Sequence, residues 1–181
     1  MKTIALPSVT HCGSSPMQRT WGRVKCLIQT AACLTAWMIQ GQTALALPGA
    51  IWTTDINGVV NQNHYDSKQD VYLNGAPQTS NAPGLPDGLY HVKITEPNGT
   101  LLGTSSGGPP PIQVTGGQVT GGPGPNGSYK VWDIVKKASD NSTGYDDTSN
   151  PGGVYKAWFS KDPDFANSAS KTDNFKALSE D

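Results

Sequence analysis

From residue 49 onward, short runs that alternate apolar and polar residues are each closed by Gly, Pro, Asn or Asp. That is the pattern of strands and tight turns, and it predicts an all-β chain with no helix beyond the leader. GAIWTTDI (49–56), DVYLNG (70–75) and TLLGTS (100–105) read as strands. Three further segments, LPDGLYHVKIT (85–95), GPNGSYKVWDI (124–134) and NPGGVYKAWFS (150–160), share one skeleton of proline, glycine, tyrosine and a basic residue. In each, Pro86, Pro125 or Pro151 presets φ for a turn, and Gly88, Gly127 or Gly153 accepts a positive φ. Tyr90, Tyr129 or Tyr155 then opens a strand. Strand alternation puts Tyr90, Val92 and Ile94 on a core face and His91, Lys93 and Thr95 on the other. The buried tyrosine hydroxyl is expected to reach back to backbone near the turn, as at a tyrosine corner. Trp132 and Trp158 take the place of Lys93 in the other two copies, so both are expected to point away from the tyrosine side.

The stretch 103–127 holds nine glycines and five prolines and reads as a Gly/Pro-rich spacer around a short hairpin island, PIQVTGGQVT. Residues 161–181 read as a flexible polar tail in which only Phe165, Phe175 and Leu178 could dock.

Residues 1–46 read as an export signal. Arg19, Arg23 and Lys25 precede an apolar core of about 14 residues, shorter than the ~20 that span a bilayer, and Ala44-Leu45-Ala46 offers a cleavage site. The reading makes the protein secreted, at the cell surface or in the periplasm, with no membrane span after cleavage. All three cysteines lie in this leader, so the remaining chain has no disulfide or thiolate chemistry, and export without disulfides points to a bacterium. From Leu47 onward nine lysines and no arginine stand against fourteen carboxylates, a net charge of -5 that disfavours nucleic acid as a partner.

GLPDGLYHVKITEPNG (84–99) resembles the strand-turn signature of prealbumin-like domains of the collagen-adhesin B and SpaA type, which are bacterial surface and stalk modules. The opening through DVYLNG, with YDDTSNPGGVYKAWF and SKTDNFK, resembles a group of secreted bacterial proteins built from such domains, over most of 49–176. The resemblance implies a single antiparallel β-sandwich, Ig-like or prealbumin-like, over 47–160, and an extracellular interaction, matrix or adhesion role without catalysis. In the adhesin-type domains a glutamate four residues after the tyrosine promotes an internal isopeptide bond. Ile94 stands there in this chain and the nearest glutamate is Glu96, so that bond is not expected.

Candidate chemistry is sparse. Trp132 and Trp158, with His91 and Lys93 on the same expected face, form the candidate ligand surface, for an extracellular protein or polysaccharide. An aromatic platform that stacks on sugar rings is the alternative role. For a metal, Asp55 and Asn57 at i, i+2 together with Asp146, Asp147 and Asn150 supply oxygens suited to a structural calcium ion, and no other cofactor is expected. A small hydrolase built on His64 or His91 is the third reading, with no motif that places a nucleophile beside either.

Overall fold

The computed structural model describes residues 46–60 and 64–178; the expected export signal lies outside them, apart from its last residue. The described residues all belong to one compact unit, Gly41–Asp181. Its strands are β1 (Ala50–Thr54), β2 (His64–Tyr65), β3 (Tyr72–Ala76), β4 (Gly88–Thr95), β5 (Leu101–Thr104), β6 (Ile112–Thr115), β7 (Gln118–Thr120), β8 (Tyr129–Lys130), β9 (Lys136–Lys137), β10 (Val154–Ser160) and β11 (Ser170–Ala177). Among the described residues one α-helical turn, α1 (Val131–Ile134), joins them. The fold is all-β. A small sheet runs β1-β3-β8 and a large one β2-β11-β10-β4-β5-β9, with the β6–β7 hairpin attached to the first half of β4. Among the described strands only β2 pairs in parallel, with β11.

The repeated segments account for the centre of the large sheet. Tyr90, Val92 and Ile94 of β4 and Tyr155, Ala157 and Phe159 of β10 are all fully buried on one face. Tyr90 stacks on Phe159 at 4.3 Å, Tyr155 stacks on Phe175 at 5.4 Å, and Tyr145 meets both rings of the second pair edge-on. The repeat glycines take the expected positive φ, 141° at Gly88, 77° at Gly127 and 65° at Gly153. The tyrosine hydroxyls also reach back to earlier backbone. Tyr90 donates to the Pro86 carbonyl at 2.6 Å, Tyr129 donates to the Thr120 carbonyl at 2.9 Å, and Tyr155 accepts from the Thr148 amide at 3.3 Å. Ile51, Leu73 and Val131 from the region of the small sheet join the same core, and the Thr53 amide donates to the Asp173 carboxylate at 2.8 Å to tie β1 to β11.

Three elements depart from the expected layout. The second copy of the repeat forms only the two-residue β8 and then turns into α1. The inward series there is Tyr129, Val131, Asp133, so an acid falls where the other copies have Ile94 and Phe159, and burying it unpaired would cost more than ending the strand. The Gly/Pro-rich stretch is no spacer: β6 and β7 form the hairpin, and Ile112, Val114 and Val119 belong to the core. The polar tail is likewise corrected. It contributes β11, flanked by β10 and β2, with Phe175 1% exposed and Phe165 4% exposed, whereas Leu178 stays exposed. Backbone pairing with β10 over seven residues carries that strand despite its few apolar positions.

Candidate functional site

The outward face of the large sheet holds the densest arrangement of the expected ligand residues. In the antiparallel β4–β10 pair, Lys93 lies directly opposite Trp158, and Thr95 opposite Lys156. Side chains opposite one another share a face, so all four converge. The Lys93 Nζ is 4.6 Å from the Trp158 ring centre and 4.7 Å from that of Phe165, and the Lys156 Nζ is 4.4 Å from Trp158. The indole N–H donates to Thr95 Oγ1 at 2.9 Å, which fixes the ring. Each cation–π contact at a partly exposed site is worth about 0.5–1 kcal/mol.

Phe165 reaches this cluster because the loop between β10 and β11 folds back on itself. Ser160 Oγ donates to the Ala169 carbonyl at 3.1 Å and accepts from the Asp162 amide at 3.0 Å, which closes the loop at its base. Ser106 Oγ anchors its tip through the Pro163 carbonyl at 3.0 Å. Phe165 itself adopts a left-handed φ of 53° at the apex. Burial, and then the neighbouring Lys156 charge, push the Lys93 ammonium below the usual lysine range.

His91 shares this face but is only 7% exposed. Its Nδ1 lies 3.4 Å from Ser105 Oγ, a hydroxyl that already accepts from the Val92 amide at 2.9 Å. No carboxylate is hydrogen-bonded to His91 among the described residues. The other histidine among the described residues, His64, is exposed in β2.

Trp132 does not join Trp158. Carried by α1 instead of a strand, its ring lies 5.8 Å from Tyr145, whose own ring meets Tyr155 on the core side of the sheet. Gly144 makes that packing fit, since a Cβ there would come within 2.7 Å of the indole. The two tryptophans therefore sit on opposite sides of the large sheet, and the expectation that both point away from the tyrosine side is corrected for Trp132. Its neighbour is a lysine that the sequence did not single out. Lys68 is 2% exposed, with its Nζ 5.2 Å from the Trp132 ring centre, 2.6 Å from Asp147 Oδ1 and 3.2 Å from the Tyr145 carbonyl.

The three carboxylates among the candidate calcium ligands already have other partners. Asp55 accepts from the amides of Val59 and Asn57, both at 2.9 Å, and from the Asn57 side chain, an Asx-type turn whose hydrogen bonds, Val59 foremost, hold its carboxyl below the usual range. Asp146 accepts from the Ser139 amide and hydroxyl, Asp147 pairs with Lys68, and the Asn150 amide donates to Thr148. Among the described residues no three His, Cys, Asp or Glu side chains form a group able to hold a metal.

Lys156 occupies the basic position that follows the repeat tyrosine and was visible in the motif. Phe165 and the role of Thr95 were not, because they depend on a loop fold and a strand register that one sequence does not reveal. No protein-family model matches the chain, and neither does a curated protein or a solved structure.

Proposed function

We infer that this protein is a secreted, non-enzymatic interaction module with a prealbumin-like β-sandwich build, which engages an extracellular partner through the outward face of its large sheet. The observation that carries this reading is the cluster of Lys93, Lys156 and Phe165 around Trp158. Aromatic rings hold two cations in place on a sheet face, with the indole N–H bonded to Thr95. A partly exposed aromatic fixed among charges is the composition of a recognition surface. The prealbumin-like build is supported by the tyrosine corners and by the two sheets sharing one core.

The test is a binding array of matrix proteins and glycans probed with the protein and with Trp158→Ala and Lys93→Gln/Lys156→Gln, each variant first checked for an unchanged circular dichroism spectrum and melting profile. The reading expects at least one partner whose binding falls in both variants. Partners that bind all three proteins equally well would place recognition elsewhere on the molecule.

A further inference from the structure

Four lysines from four strands step diagonally across the same face. Lys136 on β9 pairs with Thr104 on β5, and Thr104 pairs with Lys93 on β4. Lys156 on β10 lies one strand over and two residues along, opposite Thr95. Lys176 on β11 repeats the step, two residues beyond Asn174, the partner of Lys156. His64 on β2 pairs with Lys176 and ends the line. Diagonal neighbours of this kind are about 7–8 Å apart, and the step over β5 is about 9–10 Å.

No acid interrupts the stripe at strand level. Asp173 is the one acidic residue in the strands of this sheet, and its register opposite Ala157 turns it to the core face. Among the described residues the single ion pair joins Lys68 to Asp147, so none of the four stripe lysines is ion-paired. Outside the strands, Asp66 lines the hollow shared by Lys176 and His64, and Asp162 and Asp164 lie in the loop that carries Phe165, where an Asp162 carboxylate oxygen accepts from the Asp164 amide at 2.9 Å. Exposed Thr172 and Asn174 set neutral hydrogen-bonding groups beside the cations. At each end the stripe enters a surface hollow. Lys136 and Thr104 line one of about 460 Å³, and Lys176 and His64 line the other, of about 390 Å³.

Resting on the interaction role of this face, we propose that the stripe is a track for a linear acidic polysaccharide, whose carboxylates or sulfate esters meet successive lysines while its hydroxyls meet Thr172 and Asn174. Charge complementarity selects the polymer. Lysine binds such groups as a point charge and needs no bidentate geometry, which suits a chain without arginine beyond its leader. Spaced single cations fit a polymer that offers one acid per repeat better than the dense phosphates of nucleic acid, which the net charge of -5 from Leu47 onward would also repel. The ring of Trp158, midway along the stripe, adds an apolar surface for a sugar face.

The experiment measures binding of the purified protein to polygalacturonate, dextran sulfate and neutral dextran at two salt concentrations. Lys93→Gln, Lys156→Gln and Lys176→Gln are compared with Lys130→Gln, a control of equal charge change on the small sheet. The track predicts binding to one or both acidic polymers that weakens with salt, a loss of about two- to fivefold for each stripe variant, and no loss for the control. Retention of dextran sulfate alone would support the track and assign it sulfate esters. Equal binding to neutral dextran, or equal losses for stripe and control variants, would overturn it. A partner protein bound through Trp158, with no acidic polymer bound, would overturn the polysaccharide proposal while sparing the interaction face; if no ligand is sensitive to any variant of this face, both fall.

Discussion

Lys93 faces Trp158 across the β4–β10 pair, with its ammonium nitrogen 4.6 Å from the centre of the indole ring. Neighbouring charge from Lys156 works against that contact, and the aromatic pair of Trp158 and Phe165 works for it. A double-mutant cycle of Lys93→Met and Trp158→Leu in urea denaturation should therefore return a favourable coupling of about 0.5–1 kcal/mol. A coupling of zero would mean that the two side chains share a face without holding each other.

The hydrogen bond from Tyr90 to the Pro86 carbonyl closes the first repeat at its turn. Tyr90→Phe keeps the ring stacked on Phe159 and removes only the hydroxyl, which should cost about 1–2 kcal/mol because the carbonyl loses its partner. Tyr90→Ala should cost about 3–5 kcal/mol, since it also empties the centre of the core. Equilibrium unfolding separates the two. Similar losses in both variants would make the hydroxyl, rather than the ring, the main contribution.

Lys68 places a buried ammonium against a carboxylate, Asp147, whose side chain is 47% exposed. Asp147→Asn should destabilise the protein by about 1–3 kcal/mol, below the figure for a wholly buried pair because water reaches the Asp147 side. Lys68→Met, which also removes the buried charge, should cost less than Asp147→Asn. Chemical denaturation of both variants checks the order.

Asp173 gives stability a pH dependence opposite to that of an ordinary surface carboxylate. Burial, only partly offset by the Thr53 amide, raises its pKa in the folded state. The folded protein therefore holds this proton more tightly than the unfolded chain, and stability falls as pH rises from the ordinary carboxylate value through the raised one. Asp173→Asn can still accept from Thr53 and carries no charge to bury. It should remove that decline, so that its stability relative to the parent protein is higher at pH 7 than at pH 3. Urea midpoints at the two pH values provide the comparison, and an equal difference at both would contradict the assignment.

Legibility from sequence followed the periodicity. Tyr90, Val92 and Ile94 announced β4, and Tyr155, Ala157 and Phe159 announced β10, because two-residue alternation records directly which face is buried. Asp133 was equally visible and marks where the second copy leaves the pattern, which is why Trp132 lies on the core side. β11 was hidden because its inward positions include Lys171 and Asp173, and it owes its place to hydrogen bonding along β10. The lysine stripe was hidden for a different reason. Its members lie up to 83 positions apart, as Lys93 and Lys176 do, and only strand order and register bring them into line.

The most direct measurement is a titration of isotope-labelled protein with polygalacturonate fragments, following the indole N–H resonances of Trp52, Trp132 and Trp158. Binding along the lysine stripe predicts that the Trp158 signal shifts progressively with added fragment while that of Trp132, on the other side of the sheet, stays in place. A complex that moves Trp132 and leaves Trp158 unchanged would contradict the account.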